Sequence, residues 1–220
     1  MHIAEGFLPP LWAAAWALFA APFVAYGTYR VATYVRQSPE RMAMLALAGA
    51  FMFVLSAMKL PSVTGSTSHP TGTGLAVVLF GPGVTAVLST IVLVYQALLL
   101  AHGGITTLGA NVASMGIIGP AIGWLGYTAV RGRTGVVKGT FVATVLADWS
   151  TYIVTSVQLG AAFPTGEGIG GVIAAAGNFA AVFAVTQLPI AVVEGVIAAA
   201  VIKQLIAVKP VITAKLGVGA

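Results

Sequence analysis

The chain has 220 residues, of which 59% are hydrophobic and only 7% are charged, and it contains no cysteine. Soluble domains carry about 25% charged residues, so this composition favours one membrane domain; the lack of cysteine excludes disulfides and thiolate catalysis. The net charge is +5, but the basic residues do not interleave with aromatic side chains on one face, which argues against nucleic-acid binding.

Apolar segments long enough to cross a bilayer follow one another along the chain. The expected spans are about 9–29, 42–58, 84–101, 108–130, 137–160 and 178–203. An extra apolar piece at 74–81 is too short to span and ends at Gly-Pro-Gly, which is a strong breaker. The first ten residues contain a glutamate and no lysine or arginine, so we interpret them as a retained N-terminus rather than a cleaved signal peptide.

The distribution of basic residues predicts the orientation, because cytoplasmic loops are enriched in lysine and arginine. The basic residues fall into three groups: Arg30, Arg36 and Arg41; Arg131, Arg133 and Lys138; and Lys203, Lys209 and Lys215. With the N-terminus outside and 74–81 dipping to the inner side, nine of the ten basic residues lie inside and only Lys59 lies outside. We therefore predict an all-α polytopic bundle of seven helical segments, with a short third segment and a cytoplasmic C-terminus.

All three histidines, His2, His69 and His102, fall on the outer side of this topology. The His2 imidazole, the His2 amide nitrogen and the terminal amine of Met1 can reach one metal ion through a five-membered and a six-membered chelate ring. A fourth nitrogen would complete a planar site of the kind that suits Ni(II) or Cu(II). Within a single integral membrane domain, 1–220, we thus expect a metal-chelating tail at 1–8, an outer loop at 59–73 and a cytoplasmic tail at 204–220.

Two acids, Asp148 and Glu194, lie within expected spans, where ionisable groups are functional candidates. Glu194 follows Gln187 by seven residues, so the two share a helix face. We expect both acids to lie away from the outer histidines, in structural or partner-contact roles. An alternative interpretation uses them for proton coupling in a self-sufficient secondary metal transporter.

Other polar features narrow the function. Gln96 and Asn111 lie near the outer ends of their helices and either orient the tail or bond between helices. A membrane metal hydrolase is disfavoured, because the outer side offers three histidines and few carboxylates. No Gly-x-x-x-x-Gly-Lys-[Ser/Thr] motif occurs in the sequence, so this chain has no phosphate cradle of that kind for ATP.

Several long motifs indicate a family. They are MHIAEGFLP at the N-terminus, SVTGSTSHPTGTGLAVVLFGP in the middle, ALLLAHGGITTLGANVASMGIIGP after it, and QLPIAVVEG near residue 190. They resemble the CbiM/NikM family, the substrate-capture membrane components of energy-coupling-factor transporters for cobalt and nickel, with SHPTGTG closer to the CbiM branch. The resemblance implies that the Met1 amine, the His2 amide and imidazole, and His69 bind Co(II) or Ni(II). Ala4 stands where we expect methionine in many members, and it offers no ligand atom.

The resemblance also implies neighbours for the site and partners for the chain. A ligating histidine normally donates its other ring N–H to a fixed acceptor, and Ser66, Ser68 and Thr71 are candidates beside His69, with His102 as a relay or entrance residue. The implied partners are a transmembrane coupling subunit (CbiQ-like), ATPase subunits (CbiO-like) and a small auxiliary membrane protein (CbiN-like). The implied location is the cytoplasmic membrane of a bacterium or archaeon, and the chain itself is not expected to be an enzyme.

Overall fold

A computed structural model of the chain describes residues 2–37, 40–61 and 66–208, and this part of the chain is mostly helical. The helices are α1 (Pro10–Gln37), α2 (Glu40–Ala57), α3 (Thr73–Phe80), α4 (Pro82–Leu100), α5 (Leu108–Asn111), a π-helix (Val112–Ile118), α6 (Gly119–Ala162) and α7 (Gly168–Val208). Three short strands, β1 (His2–Ile3), β2 (Leu60–Pro61) and β3 (Ser66–Ser68), form an antiparallel sheet in the order β1–β3–β2. This sheet, which no sequence pattern predicted, joins the N-terminal tail to the segment that precedes His69.

Four stretches of helix are long and apolar enough to cross a membrane: Pro10–Gln37, Pro82–Leu100, Leu108–Ala162 and Gly168–Val208. A further apolar helix, Arg41–Ala57, is shorter. The prediction of a helical, multi-pass membrane protein is therefore confirmed. The count of seven segments and the outer position of the N-terminus stay predictions.

The short third helix is enclosed by the rest of the protein. Residues 73–79 are all buried, and the helix ends at Gly81, whose φ of 79° lies outside the helical range. Helix α4 then begins with a proline at its first position, where its fixed φ and missing N–H are tolerated. A Cβ added to Gly74 would lie 2.3 Å from the Cα of Thr144, so α3 packs against α6 at backbone contact distance.

Helix α6 is interrupted within the segment that the sequence analysis treats as a basic loop. Gly135 has φ 80° and ψ 170°, a conformation that glycine adopts readily and a helix does not contain. The chain before and after this break packs closely, because a Cβ on Gly123 would lie 2.6 Å from the carbonyl oxygen of Ala143. Small residues recur at Gly119 and Gly123, a spacing that lets membrane helices pack closely.

The structure describes some residues of each of the three expected segments, 1–8, 59–73 and 204–220. The tail at 1–8 contains β1, and Met1 lies outside the described residues. The outer loop at 59–73 contains β2 and β3 and reaches the start of α3, while 62–65 lie outside the description. The tail at 204–220 begins as the last turn of α7, and 209–220 lie outside the described part.

Candidate metal centre

The three histidines converge although their positions in the chain are far apart. One ring nitrogen from each of His2, His69 and His102 lies within 4.8 Å of the others. The ring centroid of His2 is 4.3 Å from that of His69 and 4.2 Å from that of His102. All three side chains are buried, with at most 1% of their surface exposed. Three clustered, buried imidazoles form a set of nitrogen donors suited to a transition-metal ion.

The N-terminal tail is folded into the bundle, and β1 positions His2 there. His2 pairs with Thr67 and Ile3 pairs with Ser66 in the antiparallel sheet. The Asn111 side chain accepts a hydrogen bond from the Ile3 N–H at 2.8 Å and donates one to the Ile3 carbonyl at 3.1 Å. Asn111 thus orients the tail, whereas Gln96 donates to Ser56 at 2.6 Å and so bonds between helices.

A second set of contacts holds the tail beyond Ile3. The Glu5 N–H donates to the Gly103 carbonyl at 3.1 Å, and the Glu5 carboxylate accepts from the Thr106 N–H at 3.2 Å. Hydrogen bonding from the side chain of Thr106, and then from its backbone N–H, lowers the pKa of Glu5, which is exposed. A Cβ on Gly104 would lie 2.4 Å from the Cα of Glu5. The loop therefore needs glycine at this position for the tail to approach so closely.

The contacts of His2 fix which ring nitrogen is free to bind a metal. Its Nε2 lies 3.3 Å from the Sδ of Met115, and a thioether sulfur can only accept a hydrogen bond. Nε2 therefore carries the hydrogen, and Nδ1 carries the lone pair. Met115 lies in the π-helix and is buried; π-helical turns are frequent at functional sites. No pattern in the sequence pointed to Met115, because its position depends on that irregular turn.

His69 presents a buried lone pair. Its Nδ1 donates to the carbonyl of Pro70 at 2.8 Å, which leaves Nε2 without a hydrogen. Nε2 is buried and has no hydrogen-bond partner among the described residues. Burial lowers the pKa of His69 and of His2 well below the usual 6.5. Both imidazoles are therefore neutral at physiological pH, the form in which histidine binds a metal.

His102 stands between the tail and the β3 segment. Its Nε2 lies 2.9 Å from Nδ1 of His2 and 2.7 Å from the hydroxyl of Thr67. Because Nδ1 of His2 carries no hydrogen, the His102 ring is the donor between them. Burial lowers the pKa of His102 to about 3. His102 is therefore a neutral imidazole in contact with His2.

The hydroxyl residues beside His69 contact other groups. The hydroxyl of Ser68 accepts from Thr186 at 2.8 Å, and the hydroxyl of Thr71 donates to Glu194 at 3.2 Å. Ser66 lies in β3 opposite Ile3. The ring N–H of His69 donates instead to the carbonyl of the next residue.

The two intramembrane acids lie closer to the histidines than the sequence analysis expects. Glu194 accepts from the backbone N–H groups of Thr71 and Gly72, at 2.6 and 2.8 Å. The Gln187 amide donates both to the carbonyl of His69, at 2.9 Å, and to Asp148. The expectation that the acids are remote from the histidines is wrong, because helix α7 passes directly behind the residues that follow His69. The seven-residue spacing of Gln187 and Glu194 was the sequence signal for this shared face.

Comparisons with known proteins give a consistent result. A relative from Haloquadratum walsbyi is 62% identical over 93% of each chain, and one from Halobacterium salinarum is 56% identical over the full length of both. Both bear the name CbiM, and both names refer to cobalt transport. A crystal structure described as a transition metal transporter superposes with a TM-score of 0.75, at 27% identity, over 94% of this chain and 93% of the other.

The family comparison covers almost the whole sequence. Residues 2–212 match the profile of CbiM, described as the cobalt uptake substrate-specific transmembrane region. The match includes all three histidines and both intramembrane acids. The chain belongs to the CbiM family.

Proposed function

We propose that this protein is the substrate-capture subunit of an ATP-driven energy-coupling-factor importer for Co(II), with Ni(II) as the other candidate ion. The ligands are four nitrogens: the Met1 amine, the His2 amide and Nδ1, and Nε2 of His69. The chain itself has no enzymatic role. ATP hydrolysis takes place on CbiO-like partner subunits and reaches the chain through a CbiQ-like membrane subunit, with a CbiN-like protein as an auxiliary partner.

The observation that carries this proposal is the lone pair on Nδ1 of His2, which accepts a hydrogen bond from His102 that a bound ion would replace. Only Nδ1, and not Nε2, closes a six-membered chelate ring with the amide nitrogen of the same residue. The contact between Nε2 and the sulfur of Met115, at 3.3 Å, places the hydrogen on Nε2 and the lone pair on Nδ1. The buried, unprotonated Nε2 of His69 lies on a ring centred 4.3 Å away, which supports His69 as the fourth ligand.

The chemistry of these ligands sets requirements on the ion. A backbone amide binds only after it loses its proton, so binding releases protons and needs a strongly polarising ion. A terminal amine has an unperturbed pKa of about 7.7–8.0 and is partly available at neutral pH. Nitrogen sites favour Ni(II) over Co(II) in intrinsic affinity, so a preference for cobalt has to come from geometry, delivery or release.

Capture and release occur on opposite sides of the membrane in this proposal. The excess of basic residues at the predicted inner side supports a cytoplasmic C-terminus in a bacterial or archaeal membrane. The tail at 1–8 and the loop at 59–73 then face the outer side, where the ion is captured. A coupling subunit releases the ion by stabilising a state of the bundle that binds it less tightly, and separation of His69 from His2 is such a state.

An N-terminal extension tests the proposal. Two residues added before Met1 convert its amine to an amide, so metal binding by the purified full chain is expected to be lost. The control carries the same two residues after Ala220, and it is expected to bind one ion per chain. Bound metal is measured by mass spectrometry after incubation with Co(II) or Ni(II). Full binding by the N-terminally extended protein would disprove the chelate.

A further inference from the structure

Glu194 makes an unusually complete set of hydrogen bonds for a carboxylate inside a membrane helix. It accepts from the Thr71 N–H at 2.6 Å, the Gly72 N–H at 2.8 Å and the Thr71 hydroxyl at 3.2 Å. Only 1% of the side chain is exposed. All three donors belong to the turn that connects His69 to α3. The side chain therefore binds one short segment of backbone, and it also hydrogen-bonds to Asp148 on α6.

The turn is shaped to present its N–H groups to this carboxylate. Gly72 has φ 72°, a left-handed conformation that glycine adopts without steric cost. A Cβ at Gly72 would lie 2.6 Å from the Cα of Met52, so a larger residue is excluded by space as well as by conformation. Two successive backbone N–H groups consequently point toward the same anion, an arrangement that binds negative charge well.

Helix α7 contacts this segment at two further places. Gln187 donates to the carbonyl of His69 at 2.9 Å and also to Asp148, and both side chains are fully buried. One residue earlier, Thr186 donates to the hydroxyl of Ser68 at 2.8 Å. Three side chains of α7, Thr186, Gln187 and Glu194, therefore hold the residues on either side of the His69 ring.

We propose that Glu194, together with Gln187, is a positioning residue that fixes His69 to α7, so that displacement of α7 moves this ligand relative to His2. The inference rests on the proposed function, because it concerns the same metal site. A buried carboxylate is expensive in a membrane helix unless it is fully hydrogen-bonded, and an apolar side chain would serve packing alone. The hydrogen bonds to the turn explain why a carboxylate, rather than an apolar side chain, occupies this position.

Substitution of Glu194 by glutamine tests the inference at nearly constant volume. A glutamine amide has one acceptor oxygen and a nitrogen that can only donate, so it cannot accept from both backbone N–H groups through separate oxygens. We expect Glu194→Gln to bind Co(II) about 10–100-fold more weakly, the range for partners that orient a metal ligand. We also expect a shift in the visible absorption spectrum of bound Co(II), which a loss of folding stability alone would not produce.

Control variants distinguish a positioning role from general damage. Thr140→Val removes a buried hydroxyl that bonds only to Val136 in its own helix, and it should keep the wild-type affinity and spectrum. If Glu194→Gln does not fold, the inference is tested with Gln187→Leu, which removes the hydrogen bond to the His69 carbonyl. This variant should also shift the Co(II) spectrum. Wild-type affinity and spectrum in the folded variant, Glu194→Gln or Gln187→Leu, would overturn the inference.

Comparison with His69→Ala separates this inference from the proposed function. If His69→Ala binds Co(II) as the wild type does, His69 is not a ligand and both are overturned. If His69→Ala loses binding while Glu194→Gln and Gln187→Leu retain it, only the positioning role fails. If all three variants weaken binding and the two α7 variants shift the spectrum, the inference is supported.

Discussion

The two parts of the candidate metal centre are anchored in different ways. The strand that carries His2 is held by neutral groups, with Asn111 and Thr107 bonded to the backbone of Ile3 at 2.8–3.1 Å. The charged contact of the tail, from the Thr106 N–H to Glu5, is exposed. The segment that carries His69 is held by a buried carboxylate, Glu194, and by the Gln187 amide, both on α7. Two residue pairs between β1 and β3 join the parts.

This difference indicates which part of the candidate metal centre is displaced when a helix moves. Hydrogen bonds to a charged group contribute about 1.5–3 kcal/mol, against about 0.5–1.5 kcal/mol for neutral ones. The stronger bonds tie His69 to α7, one of the stretches long enough to cross the membrane. The tail is fixed to the loop before α5 and to α5 itself. A tilt of α7 is therefore expected to displace His69 while His2 stays in place.

Removal of His69 should have the largest effect among side-chain changes in this comparison. His69→Ala deletes the proposed fourth nitrogen, and the Co(II) affinity should fall by more than about 100-fold, beyond the range for groups that only orient a ligand. Isothermal titration calorimetry on the purified chain measures this loss. The part that carries His2 remains intact in the variant, so the residual affinity reports the tail alone.

Isothermal titration calorimetry on His102→Ala tests whether His69 or His102 is the fourth ligand. His102 contacts His2 through its Nε2 at 2.9 Å, so its removal should weaken binding less than removal of His69 does. A larger loss in His102→Ala than in His69→Ala would make His102 the fourth ligand. The fourth ligand would then lie on the loop at 102–107, which anchors the tail, and not on the segment that is anchored to α7.

Weakening the anchor of the tail should have the next largest effect. Asn111→Leu removes both hydrogen bonds from Asn111 to Ile3, and we expect Co(II) binding to weaken about 10–100-fold, with little change in the spectrum of the saturated site. The matched control is Gln96→Leu, which removes a buried amide that bonds to Ser56. Equal losses in the two variants would show that the effect is on the bundle and not on the tail.

Much of this arrangement followed from the sequence, and the rest depended on three-dimensional packing. Apolar length predicted a helical membrane protein, and the Gly-Pro-Gly at 81–83 placed the end of α3 correctly. The pairing of β1 with β3 involves two residues on each strand, too few to leave a periodic pattern. The link from Glu194 to Thr71 spans 123 positions, and no local pattern reports a contact between residues so far apart.

Loss of the contact between Met115 and His2 should have the smallest effect on Co(II) affinity. It tests whether the ring tautomer of His2 controls metal binding. Met115→Leu keeps the apolar volume and removes the acceptor for the Nε2 hydrogen of His2. One neutral hydrogen bond contributes about 0.5–1.5 kcal/mol, which corresponds to a loss of about 2–12-fold in Co(II) affinity at 1.4 kcal/mol per tenfold change. Nitrogen-15 chemical shifts of His2 should show a mixture of ring tautomers, since either nitrogen can then hold the hydrogen. Met44→Leu, on α2, should change neither property. Because the chelate closes only through Nδ1, unchanged affinity in a Met115→Leu protein with mixed tautomers would mean that the ion does not bind through the His2 chelate.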